Sequence, residues 1–257
     1  VARRIGFVSM STRVAALPEV AALPSDAALL HIGVHKTGTT ALQAAMADAR
    51  PELEQRGVLY PGPRQAHHRP AQAVMGRAWG WRGKGGVVRD IAMFDELVGT
   101  VLAWPGRSMV SSEHLCESND EITARIVSAF GTDRLHVVVT VRSLGRLLPS
   151  SWQQYLKFGL QRTYEEWLTD IFDDERTRKL SPSFWRRNRH DVIAKRWADA
   201  LGPDRVTFVV LEHVDHSAIF RTFAQLLGIP EELLVSRMNL TSNRSMTAQE
   251  SEVLRLI

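Results

Sequence analysis

The chain has 257 residues, a net charge of +4 with histidine neutral, 44% hydrophobic and 23% charged residues. That suits one sizeable α/β core and is short for two full domains. No apolar run approaches the roughly eighteen residues of a membrane-crossing helix, so no integral membrane segment is expected. Cys116 is the single cysteine, which excludes an internal disulfide and a multi-cysteine zinc site and favours a cytoplasmic location. Acidic and basic residues are mixed, and no helix-turn-helix or RNA-binding signature accompanies the basic excess, so nucleic acid is not expected as a partner.

In chain order, residues 1–25 are expected to be a flexible N-terminal extension: the opening is basic, and its apolar run is too short for a secretory signal. Residues 26–257 are expected to form one α/β domain, with the possibility left open that the native chain continues past Ile257. Ala28 to Gly33 reads as a strand, and Leu42, Ala45, Met46 and Ala49 give a helical period from about Thr39 to Glu54, its end interrupted by Pro51. Gly57 to Pro63 is a brief extended piece and a turn. Arg64 to Arg89, rich in His, Trp, Gly and Arg, is the least regular region.

A helix follows from about Asp90 to Trp104, ended by Pro105-Gly106, then a short strand from Ser108 to Glu113 and a helix from Ile122 to Phe130. Leu135 to Val141 is a β-branched strand running into Arg142, followed by a helix from Ser150 to Phe158. The last strong strand spans Arg205 to Glu212, between a helix through Trp197 and one from about Ser217 to Leu227. This alternation predicts a three-layer α/β sandwich, P-loop-like, with a central parallel sheet flanked by helices. Its ligand should sit beyond the carboxyl ends of the strands, where Lys36, Glu113 and Arg142 would converge.

The most specific stretch is Ala28-Leu29-Leu30-His31-Ile32-Gly33-Val34-His35-Lys36-Thr37-Gly38-Thr39-Thr40, a strand entering a Gly/Thr loop and a helix N-terminus. Free backbone N–H groups and the helix dipole favour an anion there. A nucleoside-triphosphate loop reads G-x-x-x-x-G-K-[ST]. Here Gly33 and Gly38 keep the glycine spacing, but Thr39 stands where that lysine belongs and Lys36 lies inside the loop. The segment resembles instead the 5′-phosphosulfate loop, P-K-[ST]-G-T-T, of sulfotransferases that use 3′-phosphoadenosine 5′-phosphosulfate (PAPS). Arg142 at a strand end and Ser150 eight positions later match the pair that binds the nucleotide 3′-phosphate in that family.

The resemblance implies a PAPS-dependent sulfotransferase of the bacterial or carbohydrate-type branch, with a small-molecule or glycan acceptor and no required metal. It implies that His35, Lys36, Thr37, Gly38, Thr39, Thr40, Arg142 and Ser150 hold the nucleotide, joined by Arg244, whose surroundings lack the family's glycine-rich form. Ala41 stands where many members carry an adenine-stacking tryptophan. Lys36 is expected to steady charge on the departing phosphate. Glu113 is the leading candidate to take the acceptor's proton and His114 its competitor, with strand alternation expected to turn the two apart.

His67 and His68 are further candidates, although an adjacent histidine pair in a polar loop is expected to be solvent-exposed. Cys116 reads as a buried hydrophobe and Trp152 as core packing. Two rival readings remain: a P-loop small-molecule kinase, which would need the missing lysine and a magnesium-binding carboxylate, and a nucleotide-binding module without turnover.

Overall fold

The computed structural model describes residues 6–9, 20–78, 86–211, 215–238 and 246–257. Six strands form one all-parallel sheet: β1 (Gly6–Ser9), β2 (Ala28–His31), β3 (Val58–Leu59), β4 (Arg107–Ser111), β5 (Leu135–Val141) and β6 (Val206–Val210), in the order β1-β6-β5-β2-β4-β3. β2 lies at the centre, paired with β4 on one side and β5 on the other. From β2 the chain crosses to β3 and returns to β4 on one side, then moves to β5 and β6 on the other, where β1 lies beyond β6. The crevice at the carboxyl end of β2 is therefore the topological switch point, where open α/β sheets bind ligands.

Side-chain alternation sends successive residues into separate cores on the two faces. Ala28, Leu30, Val137, Val139 and Val141 join Phe94, Ile126 and Trp197 on one face. Leu29 and Val138 join Leu42, Met46, Phe220 and Phe223 on the other. The three-layer parallel sandwich expected from the sequence is thus the observed architecture. A third cluster, around Trp152, Trp167 and Phe184, packs three helices (Leu144–Leu156, Tyr164–Phe172 and Phe184–Asn188) beside it. Trp152 is packed there and Cys116 is fully buried, as their composition suggested.

Several boundaries differ from the sequence reading for identifiable reasons. The helix expected from Thr39 to Glu54 is two, Thr39–Asp48 and Arg50–Glu54, because Pro51 lacks the N–H that would continue the first ladder. The helix expected to start at Ser150 starts at Leu144 and runs through Pro149, whose missing bond leaves the carbonyl of exposed Gly145 to water. The region from Arg64 to Arg89 contains a helix, His68–Met75, closed by Gly76 at φ +62°. Its Pro70 lies in the first turn, where a missing N–H has no helical partner to lose. Within residues 1–25, Gly6–Ser9 pairs in parallel with β6, and Leu23 is buried with its N–H bonded to the Leu226 carbonyl.

Candidate functional site

The loop between β2 and the helix Thr39–Asp48 is held by backbone bonds to β5, from Ile32 N to the Val138 carbonyl and from Val34 N to the Thr140 carbonyl. Gly33 is required by contact: a Cβ there would lie 2.2 Å from Thr140 Oγ1 and 2.7 Å from His31 Nε2. Lys36 takes a left-handed backbone at φ +69° and Gly38 another at φ +75°, the second serving as helix N-cap without any side-chain cap. The first-turn amides therefore face outward beside exposed Gly38 and Thr40, an arrangement that suits an anion.

Lys36 is fixed from the helix Leu144–Leu156, where Gln154 Oε1 accepts from its Nζ at 2.7 Å. Burial, followed by the charge of Lys157, holds its ammonium pKa below the usual lysine value. Arg142, at the end of β5, donates from Nη1 to the Lys36 carbonyl at 3.3 Å, so the predicted convergence of the β2 and β5 ends is observed. Ser150 lies half-buried on the next helix. Arg244 lies outside the described residues, as does Trp79-Gly80-Trp81-Arg82-Gly83-Lys84-Gly85.

Beneath the loop runs a buried polar chain that sequence reasoning missed. Thr37 Oγ1 donates to the Val34 carbonyl at 2.6 Å and lies 2.8 Å from Thr140 Oγ1, which lies 3.1 Å from His31 Nε2. His31 Nδ1 is 2.9 Å from Ser111 Oγ, which accepts from Gln43 Nε2 at 3.0 Å. The same amide nitrogen donates to Glu113 Oε2 at 3.1 Å. Donor bookkeeping gives this chain one polarity. Because the Thr37 hydrogen goes to Val34, Thr140 must donate to Thr37, and His31 then donates from Nε2. Burial lowers the His31 pKa to about 3 and keeps the ring neutral, so its Nδ1 accepts from Ser111. The Thr37 hydroxyl is engaged inside the protein.

Glu113 opens a short 3₁₀ helix, Glu113–Glu117, immediately after β4. The chain has left the strand at that point, so alternation no longer applies and Glu113 and His114 share one rim, contrary to the expectation that they point apart. His68 brackets this rim: its Nδ1 is 3.0 Å from Ser112 Oγ, its Nε2 is 3.7 Å from Glu113 Oε1, and its ring stacks on His114 at 4.5 Å. Burial first, then the charges of His68, Arg77 and Arg187, lowers the His114 pKa to about 3. His114 is thus a weak proton acceptor, engaged through Nδ1 with the Gln72 amide.

His67 is not solvent-exposed as an adjacent pair suggested. It is buried, accepting from the Ser111 N–H at Nδ1 and donating from Nε2 to the Pro61 carbonyl. Burial lowers its pKa to about 4, and it serves to join the β3 turn to β4. His35 Nε2 is buried without a hydrogen-bond partner among the described residues. Burial, then the charges of Arg187, His114, Lys36 and His68, holds its ring neutral.

Behind the rim, buried Glu117 pairs with Arg77 and lies 3.7 Å from Arg187 Nη1. Arg187 is further tied to the Tyr155 hydroxyl at 3.0 Å. No group of three or more His, Cys, Asp or Glu among the described residues is placed to hold a metal ion, and no described helix is long and apolar enough to cross a membrane.

The fold is that of a solved sulfotransferase. The crystal structure of a sulfotransferase from Alicyclobacillus acidocaldarius superposes with a TM-score of 0.54 at 17% identity, covering 91% of this chain and 90% of that one. No protein-family model and no curated protein matches the chain.

Proposed function

We propose that this chain is a sulfotransferase that takes PAPS as donor and transfers its sulfuryl group to a hydroxyl or amine of an acceptor, a glycan, glycolipid or small metabolite. The observation that carries this reading is the meeting, at one switch point, of an uncapped helix N-terminus with Lys36, of Arg142 from β5 and of Glu113 from the end of β4. An anion-binding loop and a carboxylate face each other across one strand end. His35 Nε2, without a hydrogen-bond partner among the described residues, lies in the same loop, among groups that favour an anion nearby.

In this reading the acceptor oxygen attacks sulfur and forms the new S–O bond. The bond from sulfur to the bridging oxygen breaks, with its electron pair left on the nucleotide 5′-phosphate. The acceptor's proton passes to the Glu113 carboxylate. Lys36 and the first-turn amides counter the charge that grows on the phosphate, where preorganised donors act most strongly. Arg142 and Ser150 are assigned to the 3′-phosphate, and Arg244 is proposed to close over it. The kinase alternative lacks its lysine, since Thr39 follows Gly38.

Calorimetric titration of 3′-phosphoadenosine 5′-phosphate against Mg·ATP, with wild type and Arg142→Ala, tests the reading. The 3′-phosphorylated nucleotide should bind preferentially and lose that preference in the variant. Preference for Mg·ATP, or binding of neither, would reject it.

A further inference from the structure

Resting on Glu113 as the proton acceptor proposed above, we infer that Gln43 is a positioning residue that reserves Glu113 Oε2 for itself and leaves Oε1, facing His68, as the oxygen that takes the acceptor's proton. Gln43 lies on the buried face of the helix Thr39–Asp48, one turn after the anion-binding loop. A primary amide nitrogen carries two hydrogens. One goes to Ser111 Oγ at 3.0 Å and the other to Glu113 Oε2 at 3.1 Å.

The first of these bonds cannot be reversed. Ser111 uses its own hydrogen on His31 Nδ1, because the neutral His31 ring donates from Nε2 to Thr140. That assignment is anchored in turn by the Thr37 bond to the Val34 carbonyl. Gln43 must therefore present N–H to both oxygens, and Glu113 Oε2 is held in one place by a donor that has no other use. Every member of the chain except Glu113 is buried, so water does not substitute for a broken link. Among the described residues Oε1 has no comparable donor: His68 Nε2 stands 3.7 Å away, beyond hydrogen-bond reach, so Oε1 is the oxygen left for an acceptor hydroxyl.

Losing the Gln43 amide frees Oε2 and lets the carboxylate turn, so Oε1 is no longer held where the acceptor would meet it. Among the described residues, the other titratable groups near that carboxylate are His68 from the helix His68–Met75, Tyr60 beyond β3, and Cys116 from its own 3₁₀ helix. None of them is altered in Gln43→Met, which nearly preserves side-chain volume.

The test is the carboxyl-carbon NMR signal of Glu113 in the nucleotide-free protein near neutral pH, assigned with Glu113→Gln, in wild type and Gln43→Met. Steady-state kinetics across pH are measured on the same proteins. The expected result is a displaced Glu113 carboxyl signal and a roughly tenfold fall in kcat, with the acceptor KM changed by less than about twofold. Affinity for 3′-phosphoadenosine 5′-phosphate stays unchanged. Should Gln43→Met fail to fold, Ser111→Ala, which removes the oxygen that orients Gln43, is read in the same way with a smaller movement.

An unmoved Glu113 carboxyl signal would overturn the positioning role whatever the enzyme's donor proves to be. A displaced signal with no sulfuryl transfer in wild type would instead sink the proposed function and leave the geometry of the pair standing.

Discussion

The two rims of the crevice are built in opposite ways. The loop after β2 takes the parts proposed to meet the nucleotide, Lys36, Gly38 and the first helical turn, from one continuous stretch of chain. The rim after β4 is assembled from residues far apart in sequence: His68, Gln72, Glu113, His114 and, behind them, Arg77, Glu117 and Arg187. A loop whose geometry is local can be read as a motif. A rim whose geometry depends on long-range packing shows in sequence only its end members.

The largest expected effect falls on the assembled rim. Glu113→Gln should lower kcat by about 10³-fold while leaving affinity for 3′-phosphoadenosine 5′-phosphate intact, because general-base catalysis supplies roughly 10²–10⁴-fold. Stopped-time product assays alongside calorimetry would measure both quantities, and equal losses in the two would erase the functional division between the rims. On the contiguous rim, Lys36→Ala should lower turnover by about 10²-fold, in line with the loss of one preorganised charge-stabilising donor. A variant with wild-type turnover would remove that rim from the chemistry.

The next effects are on stability. Glu117→Gln leaves Arg77 and Arg187 facing a neutral amide in a buried position and should destabilise the fold by about 3 kcal/mol in urea unfolding. Gly33→Ala drives a methyl into Thr140 and His31 and should cost about 2 kcal/mol, lowering Tm by roughly 4–8 °C. If Glu117→Gln proved harmless, the assembled rim would be no more dependent on distant partners than the loop.

The smallest effect concerns acid. His136, on β5 and remote from both rims, has its pKa lowered to about 4, by burial first and then by Arg205. The unfolded value is about 6.5. The unfolded chain therefore binds the extra proton first, and the stability associated with neutral His136 is full above about pH 6.5 and is lost as pH falls toward 4. His31 and His67 behave in the same direction. His136→Gln should flatten the dependence of unfolding free energy on pH in that window by at most about 1.4 kcal/mol per pH unit. An unchanged slope would mean that its ring is already protonated in the fold.

Much of the architecture was legible. β5 appears over Leu135–Val141 as its unbroken β-branched run indicated, and β2 starts at Ala28 with a helix beginning at Thr39. Lys36, Glu113 and Arg142 were readable as strand-end residues from order alone. Gln43 and Ser111 were not, since each occupies a position that a periodic pattern assigns to the core, and only the fold shows that their polar atoms satisfy one another. His31 was equally hidden: an imidazole within an apolar strand gives no hint that both its nitrogens are engaged by neighbouring strands. The helix His68–Met75 was obscured by the histidine, arginine and proline of its first turn.

Gln153 and Gln154 are adjacent on the helix Leu144–Leu156, yet they tether different parts of the molecule. Gln153 clasps both the carbonyl and the N–H of Met246, at the entrance to the helix Ala248–Leu256, while Gln154 holds the Lys36 ammonium. Successive helical positions are turned by about 100°. Insertion or deletion of a single residue between Ser150 and Gln153 would rotate both glutamines off their partners at once. The spacing from Arg142 to Gln154 is therefore a ruler whose length is set by two unrelated attachments, and chain-length variation should be tolerated in the turn after this helix but not within that span.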